Sequence, residues 1–280
     1  MSTNQPYVSF HDGRRAAQIG FGTWQIPEAD APAAIRTALE TGYRSIDTAY
    51  IYYNEAGVGQ GIAESGIPRG ELFVTTKVWN NRHGHDSTKA ALRESLERLR
   101  LDYVDLYLIH WPVPKENHYL DAWEALIQLR DEGLAKSIGV CNFQAPHLQR
   151  LLDKTGVLPA VNQIELHPYF QQAELRAYHT DHDIQTEAWS PLGQGRALAD
   201  PALAAIAHKH QASPAQVILR WHLQMGHMTI PKSATPTRIQ ENFNLFNLHL
   251  DPDDMAAIAA LDKADGRIGP DPDRFHLMEG

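Results

Sequence analysis

Asp47, Tyr52, Lys77 and His110 bring together a carboxylate, a phenol, an ammonium and an imidazole, each at or just past the end of a short apolar run. A free tyrosine has a pKa near 10, too high for an ideal proton carrier at neutral pH. An ammonium about 4 Å away would stabilise the phenolate by roughly 4 kcal/mol at an effective dielectric of about 20, lowering that pKa by about three. Asp47 would offset part of this effect while keeping Lys77 protonated and in place. His110 could orient a substrate carbonyl or help the proton move. Such a set protonates the oxygen of a carbonyl while something else attacks its carbon. The chain shows no serine nucleophile motif, and its one cysteine, Cys141, excludes a cysteine-rich zinc site. A hydride donor is therefore the expected attacker.

These residues are far apart in sequence, so the fold must gather them. Short apolar runs alternate with longer amphipathic ones. Strands are expected at 19–23, 45–47, 72–77, 103–109, 135–140, 160–165, 185–188 and 228–230. Helices are expected at 31–41, 55–64, 87–99, 119–132, 146–153, 171–181, 214–225 and 235–244. Two further helical segments, 201–209 and 253–261, fall outside the alternation, and 8–19 reads as a hairpin turning at Asp12-Gly13. Asp86 or Ser87 could cap the third helix, and Ser213 before Pro214 marks another helix start. The pattern is α/β. Over 280 residues it closes most naturally into a (β/α)8 TIM barrel with an N-terminal β-hairpin and two extra helices. A doubly wound open sheet is the alternative. No linker, repeat or low-complexity segment divides the chain, so one domain over 1–280 is expected.

In such a barrel chemistry sits where strands end. The strand ends here carry Trp24, Asp47, Lys77, His110 with Trp111, Asn142, Gln163 with His167 nearby, Trp189 with Ser190, and Lys232 with Ser233. Trp24, Ile51, Trp79, His110, Trp111 and the tail 267–280 are expected to line or close a substrate pocket.

The formal charge is 25 − 34 = −9, with no basic cluster, so nucleic acid and anionic membranes are poor partners. No apolar run approaches the roughly 18 residues a membrane helix needs, and residues 1–10 show no secretory signal. A lone cysteine fits a reducing compartment, and a cytoplasmic location is expected. Gly57-x-Gly59-x-Gly61 lacks the spacing of a dinucleotide fingerprint and reads as helix packing. His83-Gly84-His85 and His208-Lys209-His210 have no clear carboxylate partners, so a metal site is not expected and a metal-dependent hydrolase is the weaker reading.

Taken in order, the strand-end motifs resemble the aldo-keto reductase family. They are Gly22-Thr23-Trp24, Ile46-Asp47-Thr48-Ala49 with Tyr52, Thr76-Lys77, Leu108-Ile109-His110-Trp111-Pro112, Gly139-Val140-Cys141-Asn142-Phe143, Asn162 to Tyr169, Ser190-Pro191-Leu192-Gly193, Ile230-Pro231-Lys232-Ser233 and Glu241-Asn242-Phe243. The short loops and tail look most like the bacterial 2,5-diketo-gluconate reductase branch. The resemblance implies a barrel, usually monomeric, that uses NADPH to reduce aldehydes and ketones, such as diketo-gluconate or small dicarbonyls, to alcohols. It implies Tyr52 as the acid, supported by Asp47, Lys77 and His110. Asn142 and Gln163 would hold the nicotinamide carboxamide, with Trp189 stacked on the ring. Ser190, Leu192, Gly193, Gln194 and Gly195 would lie along the pyrophosphate. Lys232, Ser233 and Arg238 would bind the 2′-phosphate of NADP, and Glu241 and Asn242 would meet the adenine. Where the family has Ser before the Asn, this chain has Cys141, whose thiol is the weaker donor toward the carboxamide. A barrel that binds NADP(H) as a sensor without turnover is the other reading.

Overall fold

Eight short strands run parallel and pair with their neighbours in chain order: β3 (Phe21–Gly22), β4 (Ser45–Asp47), β5 (Phe73–Val78), β6 (Val104–Ile109), β7 (Ala135–Cys141), β8 (Val161–Glu165), β9 (Gln185–Trp189) and β10 (Met228–Thr229). They come from a computed structural model that describes residues 5–279; the ends of the expected 1–280 span, including the tail residue Gly280, lie outside the described residues. The first and last strands meet. Ile19 bridges Thr229, Gly20 N donates to Thr229 O at 2.9 Å, and Gly22 N donates to Pro231 O at 3.2 Å. The sheet therefore closes into the (β/α)8 barrel rather than an open doubly wound sheet. A side chain at Gly22 would meet the Ile230 carbonyl at 2.8 Å, so this seam depends on glycine.

Both faces of the strands are covered, which is why they read as continuous apolar runs. All six residues of β5 are buried. Ile46, Val74, Tyr107 and Ile138 of the strands pack with residues of the outer helices, among them Ile35 of α1 (Ala31–Thr41), Leu92 of α3 (His85–Leu99) and Leu126 of α4 (Tyr119–Asp131). In α2 (Glu55–Glu64) the glycine series is packing, as expected: a side chain at Gly57 or Gly59 would collide with the carbonyls of Glu28 and Leu99. The remaining barrel helices are α5 (Ala145–Thr155), α6 (Ala173–Asp181), α8 (Pro214–Gln224) and α9 (Pro236–Phe243). The two extra helices, α7 (Pro201–Lys209) and α10 (Pro252–Ala259), bury Leu203, Ile206 and Ile258 with Trp221 of α8.

The hairpin pairs β1 (Tyr7–Ser9) with β2 (Arg15–Ala17), Tyr7 opposite Ala17. It is shorter than 8–19 because Ile19 is taken by the barrel seam. Phe10 and Ala16 pack with Phe73, Ala160, Val161 and Met228, so the hairpin plugs the end where strands begin. Ser213 caps α8 as expected, accepting from Gln216 N at 3.3 Å. Ser87 does not cap α3: that helix starts earlier, at His85, and the Ser87 hydroxyl donates to the Arg82 carbonyl.

Candidate active site

Strand ends bring the four reactive residues together. Asp47 closes β4, Lys77 is the penultimate residue of β5, and His110 follows β6. Tyr52 sits in a short 3₁₀ turn, Tyr50–Tyr52, just past β4. Lys77 Nζ donates to Asp47 Oδ1 at 2.5 Å and to the Thr48 carbonyl at 2.9 Å. The same Nζ lies 5.1 Å from the Tyr52 ring centroid, and the Tyr52 and His110 rings meet edge-on at 5.7 Å.

Burial decides the protonation states. It opposes the Lys77 charge, but Asp47 and Tyr52 outweigh it and hold the ammonium's pKa above its ordinary value. Burial, then the charge of Lys77, holds His110 well below the usual imidazole range, so the ring is neutral. Its Nδ1 is buried without a partner. A buried N–H with no acceptor is the costlier choice, so we assign the single proton to Nε2.

Tyr52 departs from the expectation. Burial pushes its phenol up to about 12, and the lowering by Lys77 does not overcome this. The side chain is therefore a held proton at neutral pH, not a partly ionised one.

Below this set, Gln163 Nε2 donates to Asp47 Oδ2 and to Glu187 Oε2, both at 2.8 Å. Gln163 lines the cavity, yet its amide nitrogen is committed to carboxylates rather than left free for a cofactor. Cys141 is a second correction. It is fully buried, with Sγ 3.8 Å from Gln163 Oε1 and outside the cavity wall, and burial pushes its thiol pKa well up. Asn142 adopts φ 63°, which aims its amide back: Nδ2 donates to the His110 carbonyl at 3.0 Å, and Oδ1 accepts from Trp189 Nε1 at 2.8 Å.

These groups face a cavity of about 660 Å³. Its wall includes the apolar side chains Trp24, Ile51, Trp79, Trp111, Phe275 and Leu277. It also carries Asn142, Trp189, Ser190, Gln194 and Lys232, with Trp189 packed in the same cluster as Trp79 and Trp111. Within the loop after β9, Leu192 packs into the core and Gly193 sits against His167, so only part of it faces the cavity. Lys232 and Arg238 are exposed, and neither has an ion-pair partner among the described residues. Ser233 Oγ accepts from Thr235 N at 3.0 Å just ahead of α9, which carries Arg238, Glu241 and the buried Asn242.

The tail is anchored by a residue the sequence did not single out. Buried Glu165 accepts from Ile268 N at 2.6 Å and Gly269 N at 2.8 Å, and lies 2.9 Å from His167 Nε2. Farther on, Trp79 Nε1 donates to the Glu279 carbonyl at 3.1 Å, and Phe275 packs on Trp111 at 4.4 Å. Glu187 was missed too; the available signal was an acid inside the otherwise uncharged strand Gln-Thr-Glu-Ala-Trp.

Among the described residues no group of three or more His, Cys, Asp or Glu could hold a metal, and no helix is long and apolar enough to cross a membrane. His210 does have a carboxylate partner, Asp254 at 2.7 Å, within a surface network that includes Lys209 and Asp251.

Comparison with known proteins agrees with this geometry. The model of the Aldo/keto reductase family matches residues 18–263. The chain belongs to the aldo/keto reductase family. Its relatives include methylglyoxal reductase DkgA of Escherichia coli K12, 51% identical over 97% of this chain and 98% of that protein. An aldo-keto reductase of Mycolicibacterium smegmatis is 50% identical over 97% of this chain and 98% of its own length. Among solved structures, a Gox0644 mutant in complex with NADPH superposes with a TM-score of 0.94 at 50% identity, covering 97% of this chain and 98% of that one. As a member of the family, this aldo/keto reductase is an NADP-dependent oxidoreductase of small carbonyl compounds.

Proposed function

We propose that the chain reduces small, uncharged aldehydes and dicarbonyls such as methylglyoxal, with Tyr52 as the proton donor. The observation that carries this reading is the buried Asp47–Lys77 pair beside a protonated Tyr52 and a neutral His110, with Asp47, Tyr52 and His110 lining one cavity. NADPH, when bound, supplies the hydride to the carbonyl carbon. Tyr52 gives its proton to the carbonyl oxygen, and Lys77 stabilises the phenolate left behind. Asp47 fixes Lys77 in place. His110 Nε2–H donates to the same oxygen and sets its direction.

The residues present suit the cofactor. Trp189, Asn142, Ser190 and Gln194 line the cavity, where they would hold a nicotinamide. Lys232 lines the cavity and Arg238 is exposed on α9, and neither has an ion-pair partner among the described residues, so both are available to a 2′-phosphate. Ser233, Glu241 and Asn242 flank them on and before α9.

Among the described residues lining the cavity, Lys232 is the one Lys or Arg, and it is the group proposed for the phosphate; Glu279 lines the cavity too. A carboxylate substrate would find no second cation there, which favours methylglyoxal over 2,5-diketo-gluconate. An NADPH-oxidation screen tests this. We expect kcat/KM for methylglyoxal to exceed that for 2,5-diketo-gluconate by about tenfold or more, and the opposite ranking overturns the substrate reading. We further take the chain to work as one domain over 1–280 and as a monomer in the cytoplasm. A barrel that closes on its own first and last strands supports one domain, the single buried cysteine suits a reducing compartment, and the monomer rests on the family resemblance.

A further inference from the structure

One layer below the cavity lies a carboxylate that the reaction described above does not use. Glu187 is 1% exposed. Register places it beside Gln163 of β8, which in turn pairs with Cys141 of β7; Met228 of β10 flanks it on the other side. The three residues of β7, β8 and β9 therefore occupy one inward-facing row of the barrel.

The charges in this row are unequal. Lys77 from β5 is engaged by Asp47 from β4 at 2.5 Å. Cys141 is held as a neutral thiol by burial. Glu187 has no cation within ion-pair distance among the described residues. Its one hydrogen-bond link is to the same amide nitrogen that holds Asp47. An aspartate–lysine pair is internally neutral, so the net charge beneath Tyr52 is set by Glu187 alone.

We propose that Glu187 is a positioning residue for carbonyl reduction, acting through Gln163 on the Asp47–Lys77 pair. With Glu187 protonated, Lys77 and Asp47 cancel and the ammonium is free to stabilise the departing Tyr52 proton's phenolate. With Glu187 ionised, the buried row gains an uncompensated negative charge that opposes that phenolate, and proton delivery slows. Burial and the neighbouring Asp47 push the Glu187 carboxyl up to about 7, so the change falls near neutral pH. Tyr52 itself, held at about 12, would leave the same range flat. The inference rests on Tyr52 being the proton donor.

The test is kcat for methylglyoxal reduction at saturating NADPH from pH 5.5 to 9, for the wild type and Glu187→Gln. The wild type is expected to lose about tenfold in rate through a limb centred near pH 7, and the variant to lose the limb while KM for NADPH stays within about twofold. A second measurement needs no variant to fold. In ¹³C-glutamate-labelled wild type, one carboxyl signal should titrate near 7 rather than near the usual 4.3. Parallel pH profiles in two active enzymes, or no glutamate signal titrating above 5, would overturn the proposal. A wild type that reduces no carbonyl compound would instead remove the reading on which it stands.

Discussion

Two regions of the molecule are built on opposite electrostatic terms. At the ends of β4 and β5, Lys77 and Asp47 are buried and bonded to each other, and burial holds the neighbouring Tyr52 and His110 neutral. After β10 and on α9, Lys232 and Arg238 stand in water with no ion-pair partner among the described residues. Desolvated charges must be satisfied by the fold itself, because an unpaired one costs several kcal/mol. Exposed charges can wait for a ligand at little cost, but salt screens them over about 8–10 Å. The buried set is thus fixed in advance, and the exposed cations stay available to the phosphate proposed for them.

Removing one member of the buried pair breaks the first half of this contrast and carries the largest expected effect. Lys77→Met leaves Asp47 buried without its cation. We expect a stability loss of about 3–5 kcal/mol in urea denaturation and a fall in kcat of about a hundredfold or more. A variant as stable as the wild type would show that the pair is not the buried, interdependent unit described here.

Burial should leave the same mark on histidines away from the reaction. His179 and His222 are both held at about 3 by burial. Their folded pKa lies below the unfolded value of about 6.5, so the folded state binds fewer protons. Their contribution to stability is complete above pH 6.5 and is lost as pH falls toward 3, at about 1.4 kcal/mol per pH unit for each group. Between pH 6.5 and 5.5 the two together should cost about 2 kcal/mol, read as a falling midpoint in urea. A midpoint unchanged over that interval would contradict it.

The second half of the contrast is sharpened by a smaller change. Lys232→Ala or Arg238→Ala should weaken NADPH binding about tenfold, near 1.4 kcal/mol, and leave NADH binding unchanged. Fluorescence titration at low and high salt checks both points: salt should weaken NADPH binding in the wild type and do so less in either variant. Equal losses for NADH and NADPH would end the phosphate assignment.

The same contrast explains what the sequence made legible. Asp47, Lys77 and His110 could be gathered from the letters because each ends an apolar run, and strand ends share one face of a barrel. Lys232 could be placed at the cavity from Ile-Pro-Lys-Ser for the same reason. What burial does was not legible. Neighbouring types suggested that Lys77 would acidify Tyr52, but desolvation is a property of the packed fold and reverses the sign. Glu187 looks like any surface acid until the register with Gln163 turns it inward. Glu165 and the amides of Ile268 and Gly269 are about a hundred residues apart, and no periodicity links them.

Single-turnover hydride transfer with Tyr52→Phe, measured beside NADPH affinity in the same variant, tests the central claim most directly. The phenylalanine keeps the ring and removes only the proton. We predict hydride transfer slowed by about 10²–10⁴-fold with the Kd for NADPH within about twofold of the wild type. Transfer at a rate close to wild type would show that the proton comes from another group.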